Sequence, residues 1–150
     1  MKSINSFRIT IPAKSINEGF SRSLISCFAS MLDPTIEELS DLKTAVSEAV
    51  TNCIVHAYKN TANESKKIIR ISAQYDSNNI ITVKIKDIGC GIADIQKALT
   101  PLYTEGDKEE RSGMGFSIMQ CFCDKMTVKS AVGKGTTVTL KKYISKQDEN

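Results

Sequence analysis

Tryptophan is missing from this chain, histidine occurs once and proline three times. The lone His56 stands at no spacing that completes a zinc set with the cysteines. Cys27, Cys53, Cys90, Cys121 and Cys123 are odd in number and lack CxxC spacing, which argues against a disulfide framework and for free thiols in a reducing compartment. No apolar run reaches the ~20 residues that span a bilayer. The N-terminal MKSINSFRIT lacks the apolar core of a signal peptide, so a cytoplasmic protein without membrane contact is expected. A formal net charge of +3, with no basic run and no interleaved aromatic array, gives no sign of a nucleic-acid groove.

What is present is the composition of an ordinary globular domain. Hydrophobic residues make up 41% and charged residues 25% of 150 positions, enough for one domain over 1–150 with a real core. Phe7, Ile9 and Ile11 alternate with polar residues and stop at Pro12, as in a strand. A helix from Ser15 or Asn17 to Leu32 carries Phe20, Leu24, Phe28 and Met31 at helical spacing, with Arg22 and the serines outward. A second helix starts either at Asp33-Pro34 or at the capping box of Thr35 and Glu38. Alternation at 69–73 and 81–85 around the turn residues 76–79 reads as a hairpin, and Asp87 shares the parity of its buried face. A short helix at 93–99 and a polar, lid-like loop at 100–112 follow, then an apolar helix from Gly113. Strands at 126–130 and 136–140 precede a charged tail from Lys141. This order predicts a two-layer α+β sandwich, a mixed and mostly antiparallel sheet with the helices on one face.

The stretch from Leu39 to Ala57 organises the rest. Between Lys43 and Lys59 its one formal charge is Glu48, so the helix is covered on most sides. Leu39, Leu42, Val46, Val50, Cys53 and Ala57 form one stripe, and Glu48 and Asn52 stand an i, i+4 step apart on the other side. A carboxylate taken out of water costs several kcal/mol, on the order of a domain's net stability, unless a basic side chain, a metal or a ligand compensates it. A structural ion pair and a binding site are both consistent with that helix alone.

Three short pieces add to it: EAVTN at 48–52, DIGCG at 87–91 and RSGMG at 111–115. Singly, a GxG is a turn and a strand-ending Asp caps a loop. Together, on a buried helix, a strand end and a helix start, they resemble the histidine-kinase-like ATPase family of gyrase and the sensor histidine kinases. Glu48 and Asn52 match its N box, Asp87, Gly89 and Gly91 its first glycine box, Gly113 and Gly115 its second, and Gly135-Thr136 its closing strand. The likeness extends over nearly the whole chain to the anti-sigma kinases of spore-forming bacteria, through LDPTIEELSDLKTAVSEAVTN, PLYTEGDKEERSGMGFSIM and GKGTTVTL.

That resemblance implies an ATP or ADP ligand with Mg²⁺. Asp87 would accept the adenine amino group, where guanine would present a repelling oxygen. Gly89 and Gly91 would let the backbone approach the base. Thr136, or Thr137 if the register is shifted by one, would hold the adenine end. Asn52 would ligate Mg²⁺. The amides at Gly113 and Gly115 would take phosphate charge, with Arg111 on the terminal phosphate. Glu48 would be the general base, and His56 a structural or supporting residue. The same resemblance implies inhibition of a sporulation sigma factor, phosphorylation of a serine on an anti-anti-sigma partner, and a homodimer. A general-stress anti-sigma serine kinase and an ATP-gated binding module without phosphate transfer are the alternatives. Arg22, on a helix outside the nucleotide motifs, is a candidate partner contact beside the plain reading of a solvated face.

Overall fold

The computed structural model describes residues 2–100 and 114–146. Five strands form one sheet: β1 Ser3–Pro12, β2 Ile68–Asp76, β3 Ile80–Asp87, β4 Lys125–Ala131 and β5 Gly135–Tyr143. Their spatial order is β1-β2-β3-β5-β4. Every neighbouring pair is antiparallel, so the mixed character expected from the sequence is absent among the described strands.

The helices are α1 Ile16–Ala29, α2 Ile36–Asn52, the single turn α3 Ile95–Ala98, and α4 Gly115–Phe122. Period-two alternation separates the sheet's faces. Ile69, Ile71, Ile81, Val83, Ile85 and Leu140 are buried and join Ile25, Leu42, Val46, Val50 and Met119 in one core cluster. Each such side chain contributes about 1.5–3 kcal/mol on burial. Asp87 ends β3 with the same inward parity, so the core itself delivers a carboxylate to the helix side.

Thr35 is the N-cap of α2. Its hydroxyl accepts the Glu38 N–H at 3.1 Å, and the Glu38 carboxylate accepts the Thr35 N–H at 2.9 Å. The alternative start fails because Asp33 turns left-handed, at φ 52°, to end the 3₁₀ turn Ser30–Leu32.

Three other expectations are corrected. Phe20 and Met31 do not join the core but are 50% and 62% exposed; α1 instead buries Ser21, Ile25, Phe28 and Ala29, with the Ser21 hydroxyl donating to the Asn17 carbonyl. The helix from Leu39 to Ala57 is not α-helical throughout, because its last stretch, Cys53–Ala57, is a π turn. The tail does not begin at Lys141. β5 continues to Tyr143, Ile144 is fully buried, and Lys142 is 9% exposed with its Nζ 2.8 Å from the Phe122 carbonyl and 3.7 Å from Asp41. The Ser145 N–H then donates to Glu38 at 2.9 Å, tying the end of the chain to the start of α2.

Glu38 thus closes two contacts where Thr35 closes one. Thr35→Ala should lower the unfolding free energy by about 1 kcal/mol and Glu38→Ala by about 1–2 kcal/mol. Urea denaturation measures both, and equal losses would deny the Ser145 contact any weight.

Candidate functional site

Asp87 is 6% exposed. Its Oδ1 accepts the N–H groups of Gly89 at 3.0 Å and Thr136 at 3.2 Å. Among the described residues Oδ2 receives only the Cys53 thiol, at 3.6 Å, a long and weak donor. Burial raises the carboxyl's pKa above its ordinary value, against the opposing pull of the two amides. Burial and the neighbouring carboxylate likewise push the Cys53 thiol well up, so it remains a protonated donor. The raised carboxyl pKa means that the folded chain holds this proton to higher pH than the unfolded chain. Asp87 therefore makes stability fall as pH climbs from the ordinary carboxylate value to the raised one, and leaves a constant cost above it. A donor arriving at Oδ2 from a ligand would offset that cost.

Beside the carboxylate lies a cleft of about 110 Å³, with Asn52, Ala57, Asp87, Gly91, Gly115 and Thr136 among its walls. His56 also lines it, and its buried Nε2 has no hydrogen-bond partner among the described residues. An apolar-walled cleft with a carboxylate and a few convergent polar groups is the form of a small-molecule site.

The cleft exists because two backbone segments come unusually close. The π turn carries the Ala57 carbonyl to the Cys90 N–H, at 2.7 Å. A Cβ on Gly89 would stand 2.0 Å from that carbonyl oxygen, so only glycine fits there. Gly91 has φ +74°, and a Cβ on it would meet the Ala131 carbonyl oxygen at 2.2 Å. Both glycines therefore serve chain-to-chain packing, where the sequence reading had them clearing room for a base; Gly91 lines the cleft and Gly89 does not. Tyr58 braces the same region. Its hydroxyl donates to the Ile68 carbonyl and accepts the Ile88 N–H at 2.9 Å.

Of the residues singled out in the sequence, Asn52, Asp87, Gly91, Gly115 and Thr136 come together around the cleft. Thr136, not Thr137, faces it, and Thr137 lies on the opposite side of the sheet. Glu48 is half-buried one turn before Asn52 and is not part of the cleft wall. Gly115 opens α4, with its N–H end toward the cleft. Arg111, Gly113 and nearly all of the expected lid at 100–112 lie outside the described residues. Arg22 is remote, on α1, with its Nε 3.0 Å from the Glu18 carboxylate.

Sequence reasoning missed Tyr58, Ser130 and the role of Cys53. Ser130 accepts the Ile92 N–H at 2.7 Å and lies 2.8 Å from the Thr136 hydroxyl, linking the glycine turn to β5. Its parity with Met126 and Val128 was the available signal. Among the described residues no group of three or more His, Cys, Asp and Glu side chains could hold a metal. A Mg²⁺ that keeps its waters and takes one protein oxygen beside phosphate oxygens needs no such cage, and Asn52 supplies an oxygen of that kind.

The family described as the histidine kinase-like ATPase domain matches residues 14–142, a range that holds every site segment. The chain is 51% identical over 144 residues to the anti-sigma F factor of Thermoanaerobacter sp. (strain X514), covering 96% of this chain and 97% of that one. It is 49% identical over 141 residues to the anti-sigma F factor of Clostridium perfringens (strain SM101 / Type A), covering 94% and 98%. The chain belongs to the anti-sigma F factor family of histidine kinase-like ATPase domains. Among solved structures, that of the RsbU and RsbW domains of a Mycobacterium tuberculosis protein superposes with a TM-score of 0.69 at 17% identity, over 95% of this chain and 33% of that one, a likeness of fold. Membership makes the cleft of an ATP-binding domain the place to look for nucleotide. The Asp87 Oδ2, with no strong donor among the described residues, is the group there that a base amine would satisfy.

Asp87→Asn tests this directly. The amide oxygen keeps both backbone contacts, while its NH₂ faces a base amino group donor to donor. ATP affinity should fall about 10- to 100-fold, by the ~1.5–3 kcal/mol of a charge-assisted bond, with no loss of melting temperature at pH 7. Calorimetric titration and thermal unfolding read the two quantities. Gly89→Ala should behave in the opposite way, costing about 1–3 kcal/mol of folding stability through its clash with Ala57, as denaturant titration would show.

Proposed function

We propose that this chain is an ATP-dependent serine kinase that restrains a sporulation sigma factor of the F type and phosphorylates the anti-anti-sigma protein opposing it. The observation that carries the reading is the buried Asp87 in the wall of the cleft between α2, the glycine turn and the start of α4, with one oxygen anchored by two amides and the other met by a weak thiol donor. An adenine amino group satisfies that oxygen, and a guanine carbonyl would repel it. Thr136, fixed through Ser130, sits at the same end.

The phosphates would extend toward the start of α4, where the amide of Gly115 would receive charge; the amide of Gly113 and the Arg111 guanidinium would add to it as the family resemblance implies. Asn52 would hold Mg²⁺, which when bound would neutralise charge on the phosphate oxygens. Glu48, one turn before Asn52, accepts the proton of an incoming serine hydroxyl as its oxygen bonds to the γ-phosphorus and the bond to ADP breaks. Glu48 is half-buried on the same helix as Asn52, one turn before it.

The partner surface fits α1. Besides Arg22, α1 exposes Ile16, at 82%, and Phe20, so the helix offers solvent apolar side chains as well as a cation and not the purely polar face read from the sequence. β1 is paired on one side only along its ten residues among the described strands, and such an edge supports the homodimer reading. No described helix is long and apolar enough to cross a membrane, and we place the protein in the cytoplasm.

Glu48→Gln should reduce transfer of labelled γ-phosphate to the anti-anti-sigma partner by about 10²- to 10⁴-fold with ATP affinity little changed. Transfer that survives intact would remove Glu48 from the base role. A wild-type chain that retains its sigma factor with ATP yet transfers nothing would identify a gated binding module.

A further inference from the structure

The face of the sheet turned away from the helices carries a depression of about 340 Å³ with Arg8, Arg70, Lys84 and Lys86 in its walls. The strand register fixes their arrangement. Thr10, Arg70, Lys86 and Thr137 form one cross-strand row, and Arg8, Ser72, Lys84 and Thr139 the next. With strands ~4.8 Å apart and rows ~6.8 Å apart, the basic residues spring from a patch roughly 10 Å by 7 Å. Lys125, Lys129 and Lys141 continue the charge across β4 and β5. The one carboxylate of matching parity on β2, Asp76, is engaged in capping the β2–β3 turn through the N–H groups of Asn78 and Ile80.

This arrangement works against folding. Arg70 stands directly opposite Lys86, and like charges so placed destabilise a strand pair. None of the four cations meets a carboxylate within ion-pair distance among the described residues. All four are exposed, so nothing in the fold requires their charge. An uncompensated cluster of this kind marks a position kept for something other than stability.

We propose that this depression binds a compact, soluble oligophosphate, a linear ion of about three phosphates. Guanidinium forks at Arg8 and Arg70 match phosphate oxygens in pairs, the two lysines add point charges, and the hydroxyls of Thr10, Ser72 and Thr137 add donors that a phosphate can use. A peptide fits less well. Its acidic side chains would be spaced ~7 Å along one edge, and the face of a fully paired sheet offers no main-chain group to hold its backbone. Nucleic acid fits less well too, since among the described residues no aromatic ring lines the depression for a base to stack on and no helix projects from it into a groove.

The test titrates inorganic tripolyphosphate into the full chain with its nucleotide cleft saturated by ADP, so that the phosphate site proposed above is occupied. One equivalent should bind by calorimetry, with affinity falling steeply as salt rises. The double variant Arg70→Gln, Lys86→Gln should lose affinity by at least about tenfold, keep ADP affinity within about twofold, and melt at a higher temperature than the wild type without ligand. Lys84→Gln alone, which leaves the opposed pair in place, should lose affinity by a smaller factor and guards against a double variant that fails to fold. Absence of binding in the wild type overturns the proposal, as does undiminished affinity in both variants. So does tighter binding of duplex DNA, poly-glutamate or anionic phospholipid vesicles to the same face, since each names a different occupant.

Discussion

The structure depends on one close approach, that of the end of β3 to the end of α2. Gly89 rests against the Ala57 carbonyl, Cys90 bonds it, and the Cys53 thiol meets Asp87. A regular α-helix would place its last turn differently; the π turn at Cys53–Ala57 widens the helix end where β3 leaves the core. Everything that shapes the cleft follows from this contact. Asp87 is brought inside by strand parity, anchored by amides on both flanking segments, and left with one oxygen that, among the described residues, only a weak thiol addresses. A carboxylate so held raises the free energy of the empty fold and lowers it again when a donor arrives. Affinity and selectivity at the cleft and the instability of Asp87 without a ligand are one electrostatic fact seen from two sides.

Much of this was legible because strand alternation and helix periodicity are local signals. Ile81, Val83, Ile85 and Asp87 share one parity, and that alone predicted a buried carboxylate at a strand end. Asn52 on the far side of the α2 stripe from Leu42, Val46 and Val50, and Gly115 at a helix start, were readable in the same way. Where reading failed, two local signals competed or none existed. Phe20 and Met31 fit one helical stripe and Ile25 and Phe28 a slightly rotated one; the choice was made by the sheet, which no local pattern contains. Lys142 disguised the last turns of β5 because a lysine interrupts an apolar alternation, although its parity is that of Val138 and Leu140. Its ammonium reaches the Phe122 carbonyl while its stem lies buried. The π turn has no compositional signature at all.

The basic face was hidden for a related reason. Adjacent basic residues occur at Lys66-Lys67 and Lys141-Lys142 and in no longer run, since in a strand cations that share a face are two residues apart and their neighbours on the sheet come from distant sequence. Arg8, Arg70 and Lys86 become neighbours only through the β1-β2-β3 register. A modest net charge over the whole chain therefore says little about the field at any one surface.

The pleat joins the two faces through shared backbone. Lys86 points out and Asp87 points in; Thr137 points out and Thr136 points in. These are consecutive residues on β3 and β5, strands paired with Lys86 opposite Thr137, so an anion drawing the outer side chains together would act on the two peptide segments that set the distance between Asp87 and the Thr136 amide. That contact, at 3.2 Å, is near the long end of its range and has room to tighten. Binding free energies are linked reciprocally. If tightening it improves the grip on a base, then a base bound inside must improve the grip on phosphate outside by the same factor. A two-layer fold with helices on one face and, among the described residues, none on the other leaves its sheet as the described element both ligands would touch.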